Sequence, residues 1–143
     1  MKIRAINLSR TIKHQLSFDE AAGTDDATTF LLGALDSRVF SVIKDKATAL
    51  PVSAFSNPDG AMASLNMNQT NFEIVVFGLK GWENFRDEDD NQIAYKTVHT
   101  QLGTRTYTTV DPELVALFPD EVIAELANKI MDFNSPTEEE RKN

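Results

Sequence analysis

Cysteine is absent from all 143 residues, which excludes a disulfide framework, a thiolate nucleophile and any Cys-ligated metal. Histidine is scarce: His14 and His99 stand far apart, without the spacing of a metal motif. The six glycines form neither G-x-G-x-x-G nor a Walker loop, and no G-x-S-x-G elbow presents a serine nucleophile. No apolar run approaches the roughly 18 residues that span a bilayer. Met1-Lys2-Ile3-Arg4 leads into polar sequence rather than the apolar stretch of a secretory signal. Positive charge is short as well, with 14 Lys and Arg against 22 Asp and Glu. Residues 1–50 balance to +1 and residues 51–143 to −9, giving the net −8. A surface of that sign repels phosphate, because nucleic-acid binding relies on clustered cations that release counterions. These absences predict a cytosolic chain with no cofactor and no metal. They argue equally against a membrane, a nucleic acid or a small-molecule substrate as its partner.

What is present is an ordinary globular composition, 41% apolar and 25% charged, at a length that suits one domain with a real core. The N-terminal half carries strand signals. Residues 2–9 alternate weakly, and 11–18 place Ile12, Leu16 and Phe18 on one side by period two. A polar loop with Gly23 precedes a third strand over 27–35. Asp36 or Ser37 caps a helix whose stripe is Val39, Phe40, Ile43 and Ala47, ending before Pro51. Residues 51–69 lack clear periodicity and contain the turn Asn57-Pro58-Asp59-Gly60, which predicts a mobile internal stretch.

Thr70 and Glu73 fit a capping box before the apolar run Ile74–Leu79. That run is too continuous for a surface helix and rich in β-formers, so buried helix competes with buried strand over 72–79. The cap and Gly81, placed as a terminator, favour the helix. Ile93–Val98 and Thr106–Val110 then read as an antiparallel pair around Gly103. Asp111-Pro112 opens a short helix through Phe118. Pro119-Asp120-Glu121 opens a longer one with the stripe Val122, Ile123, Leu126, Ile130 and Phe133, opposite Glu121, Glu125, Asn128 and Asp132. The resulting expectation is a single α+β domain over residues 1–136, in which a small antiparallel sheet from the N-terminal strands and the 93–110 hairpin packs against three or four helices. Residues 137–143 form a charged tail.

The acidic loop is the nearest approach to a chemical motif. Asp87-x-Asp89-x-Asn91 matches the opening of an EF-hand loop, but Gln92 and Val98 stand where that loop needs glycine and a bidentate carboxylate. A solvated turn is the expected reading; a metal-dependent or hydrolytic enzyme using Asp87–Asn91 is the alternative. Trp82, with Phe85 three residues on, reads mainly as core, with a second reading as an aromatic anchor for a partner.

Gly78-Leu79-Lys80-Gly81-Trp82-Glu83-Asn84-Phe85-Arg86-Asp87, an acidic turn and then Ile93 form a pattern that resembles small proteins of tailed-bacteriophage morphogenesis modules. Leu35–Val39, Glu121–Ile130 and the ending Glu138–Asn143 are similar to the same group, so the resemblance spans roughly residues 27–143. It implies a non-enzymatic role in building a phage particle, as a tail assembly chaperone or a small head, neck or tail component. Such a protein works in the host cytoplasm during assembly, and retention in the virion is compatible with the same role. Asp90-Asn91 stands where the pattern leads one to expect Asp-Gly, and asparagine also tolerates positive φ. The partners implied are other phage structural or assembly proteins, and further copies of the chain. The partner-binding candidates are Phe55, Met62, Leu65 and Met67 in the unpatterned stretch, together with Trp82 and Phe85. Methionine-rich apolar segments suit adaptable contacts.

Overall fold

The computed structural model describes residues 3, 5–48 and 61–135. Among these described residues, five strands and four helices follow in the order β1 (Thr11–Gln15), β2 (Thr29–Gly33), α1 (Ser37–Thr48), α2 (Ala61–Gly78), β3 (Leu79–Glu83), β4 (Thr97–Leu102), β5 (Arg105–Val110), α3 (Pro112–Val115) and α4 (Asp120–Asn134). The chain is therefore mixed α+β. The sheet content is divided: β1-β2-β3 form one antiparallel sheet and β4-β5 a separate hairpin. The single sheet expected from the N-terminal strands and the hairpin does not form. The edge beside β2 is taken by β3, a strand hidden in the sequence behind the expected end of a helix.

Helix α2 is the centre of the molecule. Ile74, Val75, Val76 and Phe77 are all buried, which takes cover on more than one side. Helix α4 supplies the largest share of that cover, and α1, β5 and α3 add to it. This explains why the run has no polar face and why its periodicity cannot distinguish helix from strand. Gly78 marks the closest approach, since a Cβ built there would lie 2.5 Å from Cγ2 of Ile130.

The expected capping box is not a cap. Thr70 is buried in mid-helix, because α2 begins at Ala61. Ala61, Met62, Ala63, Leu65 and Met67 have high intrinsic helix propensity, and this outweighs the local Thr70–Glu73 pattern. The second half of the unpatterned stretch 51–69 is thus helical, and its first half lies outside the described residues. Nor does Gly81 end the helix. Helix α2 passes into β3 without a loop, and Lys80 supplies the stop. Its Nζ donates to the carbonyl of Phe77 at 2.9 Å, satisfying one of the last helical acceptors. Lys80 is also the extra residue where Leu31 faces Gly81 and Leu32 faces Leu79, and its alkyl chain lies over Gly33. Burial lowers the Lys80 pKa.

The other elements follow the sequence more closely. Asp36 caps α1, its carboxylate accepting from the N–H of Arg38 at 2.7 Å. The hydrogen bond from the Arg38 guanidinium, with that N–H, holds the Asp36 carboxyl down at about 2. Val39 and Ile43 reach the core. Asp111 caps α3 with Pro112 at its first position. Val122, Ile123, Leu126, Ala127 and Ile130 bury one side of α4. Asn134, at its end, grips the sheet: Oδ1 accepts from Leu35 N at 2.7 Å, and Nδ2 donates to the carbonyls of Gly33 and Ile130.

Two strand expectations need correction. The described residues of 2–9 form no strand, and Asn7–Ser9 turn instead, the Asn7 side chain accepting from Ser9 N and Oγ. Strand β1 stops at Gln15, so only Leu16 of the expected Ile12–Leu16–Phe18 face is buried. Residues 93–96 likewise precede β4 rather than belonging to it. No helix among the described residues is long and apolar enough to cross a membrane.

Candidate protein-binding surfaces

Two places on the surface stand out, one acidic and lined by half-buried rings, the other basic and carrying exposed apolar side chains. The first is a concavity of about 460 Å³ lined by Trp82, Glu83, Asn84, Phe85, Gln92, Ile93, Ala94 and Tyr95. Its walls are fixed by rings. Trp82 lies 5.1 Å from Phe85 and 5.1 Å from Tyr95, and Phe118 meets Phe85 at 5.0 Å with Phe30 beneath. The polar ends are tied down. Trp82 Nε1 donates to the carbonyl of Ile93 at 2.7 Å, and Tyr95 Oη donates to that of Leu79 at 2.8 Å. Burial pushes the Tyr95 hydroxyl up to about 12.

A tight acidic hairpin rises from the rim of this concavity. Asp87 N donates to Asn91 O at 2.9 Å, and Arg86 bridges Gln92. One carboxylate oxygen of Asp87 accepts from the N–H groups of both Asp89 and Asn91. The positive φ needed to turn the chain falls on Asp90, at 63°, rather than on Asn91. Asp87 therefore acts as the organiser of its own turn. Among the described residues no three His, Asp or Glu side chains converge as a metal site would require.

Trp82 and Phe85 are thus brought together, half-buried, in one aromatic wall. Phe55 lies outside the described residues. Met62, Leu65 and Met67 fall on α2, and their side chains are likewise outside what is described.

The second surface is the N-terminal arm, which the sequence reading missed as a binding candidate. Ile3 is 91% exposed, Ile6 and Leu8 54% each, and Ile12 and Phe18 are also open to solvent. Five of the six large apolar side chains exposed among the described residues lie in these first 18 positions; the sixth is Leu117. The same 18 residues carry Lys2, Arg4, Arg10 and Lys13 and no Asp or Glu. The signal was in the sequence as local charge, hidden by averaging over the first fifty residues. The arm packs only lightly, Ala5, Ile6 and Leu8 lining a second depression with Asp36, Ser37 and Arg38. Arg10 lies over the Phe133 ring at 4.4 Å.

A third constellation joins these regions to the core. Glu125 of α4, expected on the solvent side, bridges His14 Nε2 at 2.7 Å and Ser17, whose Oγ and N–H both donate to it. Burial raises the Glu125 pKa, but the hydrogen bonds from Ser17 and His14 outweigh it, and the net shift is downward. Both donors converge on the carboxylate, with no Ser–His contact of the kind that activates a nucleophile. The arrangement locks the end of β1 onto α4. Comparison with protein-family models, curated proteins and solved structures returns no match to this chain.

Proposed function

We propose that the protein acts by binding other proteins, as a non-enzymatic component of tailed-bacteriophage particle assembly. The observation that carries the binding reading is the exposed row Ile3, Ile6, Leu8, Ile12 and Phe18. Exposed apolar side chains concentrated on one short segment, in a molecule whose other large apolar side chains are mostly buried or half-buried, support a surface that takes a partner. The phage setting is supported by the sequence pattern from Gly78 to Ile93 and its companion stretches.

The enzymatic alternative receives less support from the geometry. Asp87 is engaged by two backbone N–H groups of its turn, and the Glu125 cluster is arranged as a clamp. The proposal is tested by cross-linking the tagged full-length chain in phage-producing cells and identifying the attached peptides by mass spectrometry. Cross-links to phage head, neck or tail proteins are expected. Their absence, with turnover of a small molecule by the purified chain, would defeat the proposal.

A further inference from the structure

We infer that the N-terminal arm of one copy docks on the acidic, ring-walled concavity of a second copy of this chain. The inference rests on the protein-binding reading above and names its partner. Charge is the first argument. The first 18 residues hold four cations and no acids, which leaves ten cations against 22 acids in the other 125 residues, a balance of −12. The arm is therefore complementary to the body of its own chain.

Shape and chemistry localise the contact. The arm offers aliphatic side chains, Ile6 and Leu8 foremost, flanked by Arg10 and Lys13. The concavity offers the rings of Trp82, Phe85 and Tyr95, with Glu83 in its lining and the exposed Asp87, Glu88, Asp89 and Asp90 on the hairpin at its rim. The half-buried rings form the floor of that contact, and the opposed charges of arm and hairpin attract and orient the approach.

Strand register shows why the contact is between copies. Thr11 pairs with Gly33 at one end of the sheet, whereas Gln15 pairs with Thr29 and Thr29 with Glu83 at the other. The segment before Thr11, with Ile6 and Leu8, leaves from the Thr11 end and lies beside Asp36–Arg38, away from the Glu83 end where its own concavity opens. A symmetric pairing of two β1 edges is the competing arrangement. It would set Lys13, the middle residue of β1, near its own counterpart, and lysine on an edge strand opposes such pairing. The acidic surface of another copy meets both demands.

The test is sedimentation velocity on the full chain over a concentration series. At about 0.01 M salt, where charges act over about 30 Å, mass should rise with concentration. At about 1 M, where they act over about 3 Å, association should weaken. Ile6→Ser/Leu8→Ser in the arm should weaken association by about tenfold or more, with an unchanged circular dichroism spectrum. Lys13→Glu alone, and Glu88→Lys/Asp89→Lys alone, should each weaken it, and mixing these two charge-reversed chains should restore it. A symmetric strand pairing predicts no such rescue, so failure of the mixture to associate would overturn the inference. So would a wild-type chain that stays monomeric throughout, or an arm that binds phosphatidylserine vesicles while the chain stays monomeric. A monomeric chain that still cross-links to phage proteins would remove this inference and leave the protein-binding reading standing. Self-association without such cross-links would leave this inference and the protein-binding reading standing and remove the phage-assembly setting.

Discussion

The crossing of α2 and α4 and the N-terminal arm are built from similar residues and meet opposite fates. At the crossing, Val75, Leu126 and Ile130 are completely enclosed, and Gly78 lets the helices approach until no side chain fits between them. In the arm, before Thr11, Ile3, Ile6 and Leu8 stand in solvent. Hydrophobicity alone does not bury a side chain. It must recur on a face that a second element can cover, and the arm contains Asn7, Ser9 and a turn where a strand would have needed regular alternation.

The sharpest way to break this contrast is at its buried end. Leu126→Ala removes a fully enclosed side chain and is expected to cost about 2–5 kcal/mol in urea denaturation. A loss below about 1 kcal/mol would mean that the α2–α4 crossing is not the stabilising centre. Gly78→Ala comes next. Its new methyl collides with Ile130, and overpacking of this kind costs about 1–3 kcal/mol, offset in part by the better helix propensity of alanine. The cost should shrink in an Ile130→Ala background, which a double-mutant cycle measures directly.

The Glu125 clamp lies between the two extremes, and its contribution depends on pH. The folded state lowers the Glu125 pKa below the ordinary 4.5, so the folded form holds its proton less tightly than the unfolded form. The stability this contributes is present above the unfolded value and is lost as pH falls through the depressed folded value. Thermal midpoints measured from pH 6 downward through the carboxylate range should therefore fall less steeply in Glu125→Gln than in the native chain. Parallel curves would show that the clamp is not the titrating element. The smallest effect is expected in the arm itself. Leu8→Ser should change the stability of the isolated chain by no more than about 0.5 kcal/mol, because half of that side chain is already in water. A larger loss by the same denaturation assay would make the arm part of the fold and dissolve the contrast.

How much of this was legible in the sequence follows from which signals are local. The Asp36 cap, the Pro112 start, the stripe of α4 and the turn at Gly103 depend on neighbours a few residues apart; the sequence reading narrowed the first to Asp36 or Ser37 and located the other three. Gly103 indeed turns the β4–β5 hairpin with φ at 62°. The central helix was legible as buried but not in extent, because its cover comes from α1, α3, α4 and β5. Strand β3 could not be separated from the apolar run before it, since Leu79 continues that run unbroken. The division into two sheets was invisible for the same reason. Of the candidate partner residues, Trp82 and Phe85 stand three positions apart in the sequence, and their rings lie side by side with centroids 5.1 Å apart. The Glu125 clamp joins residues more than one hundred positions apart, and nothing local announces it.

The direct junction of α2 and β3 makes this part of the chain sensitive to its own length. A helix advances by about 100° per residue and a strand by 180°, and at Gly78–Leu79 no linker separates the two rhythms. Deleting one residue between Phe72 and Gly78 would throw both out of phase at once. The helix would turn Ile74 and Val75 away from their neighbours, and β3 would have to present Trp82 to the opposite face of the sheet or slip its pairing with β2. Elsewhere an extra residue can be absorbed, in the Asp19–Asp26 loop or at the Gly103 turn. Here the spacing between the buried helix and Trp82 is as much a part of the information as the residues themselves.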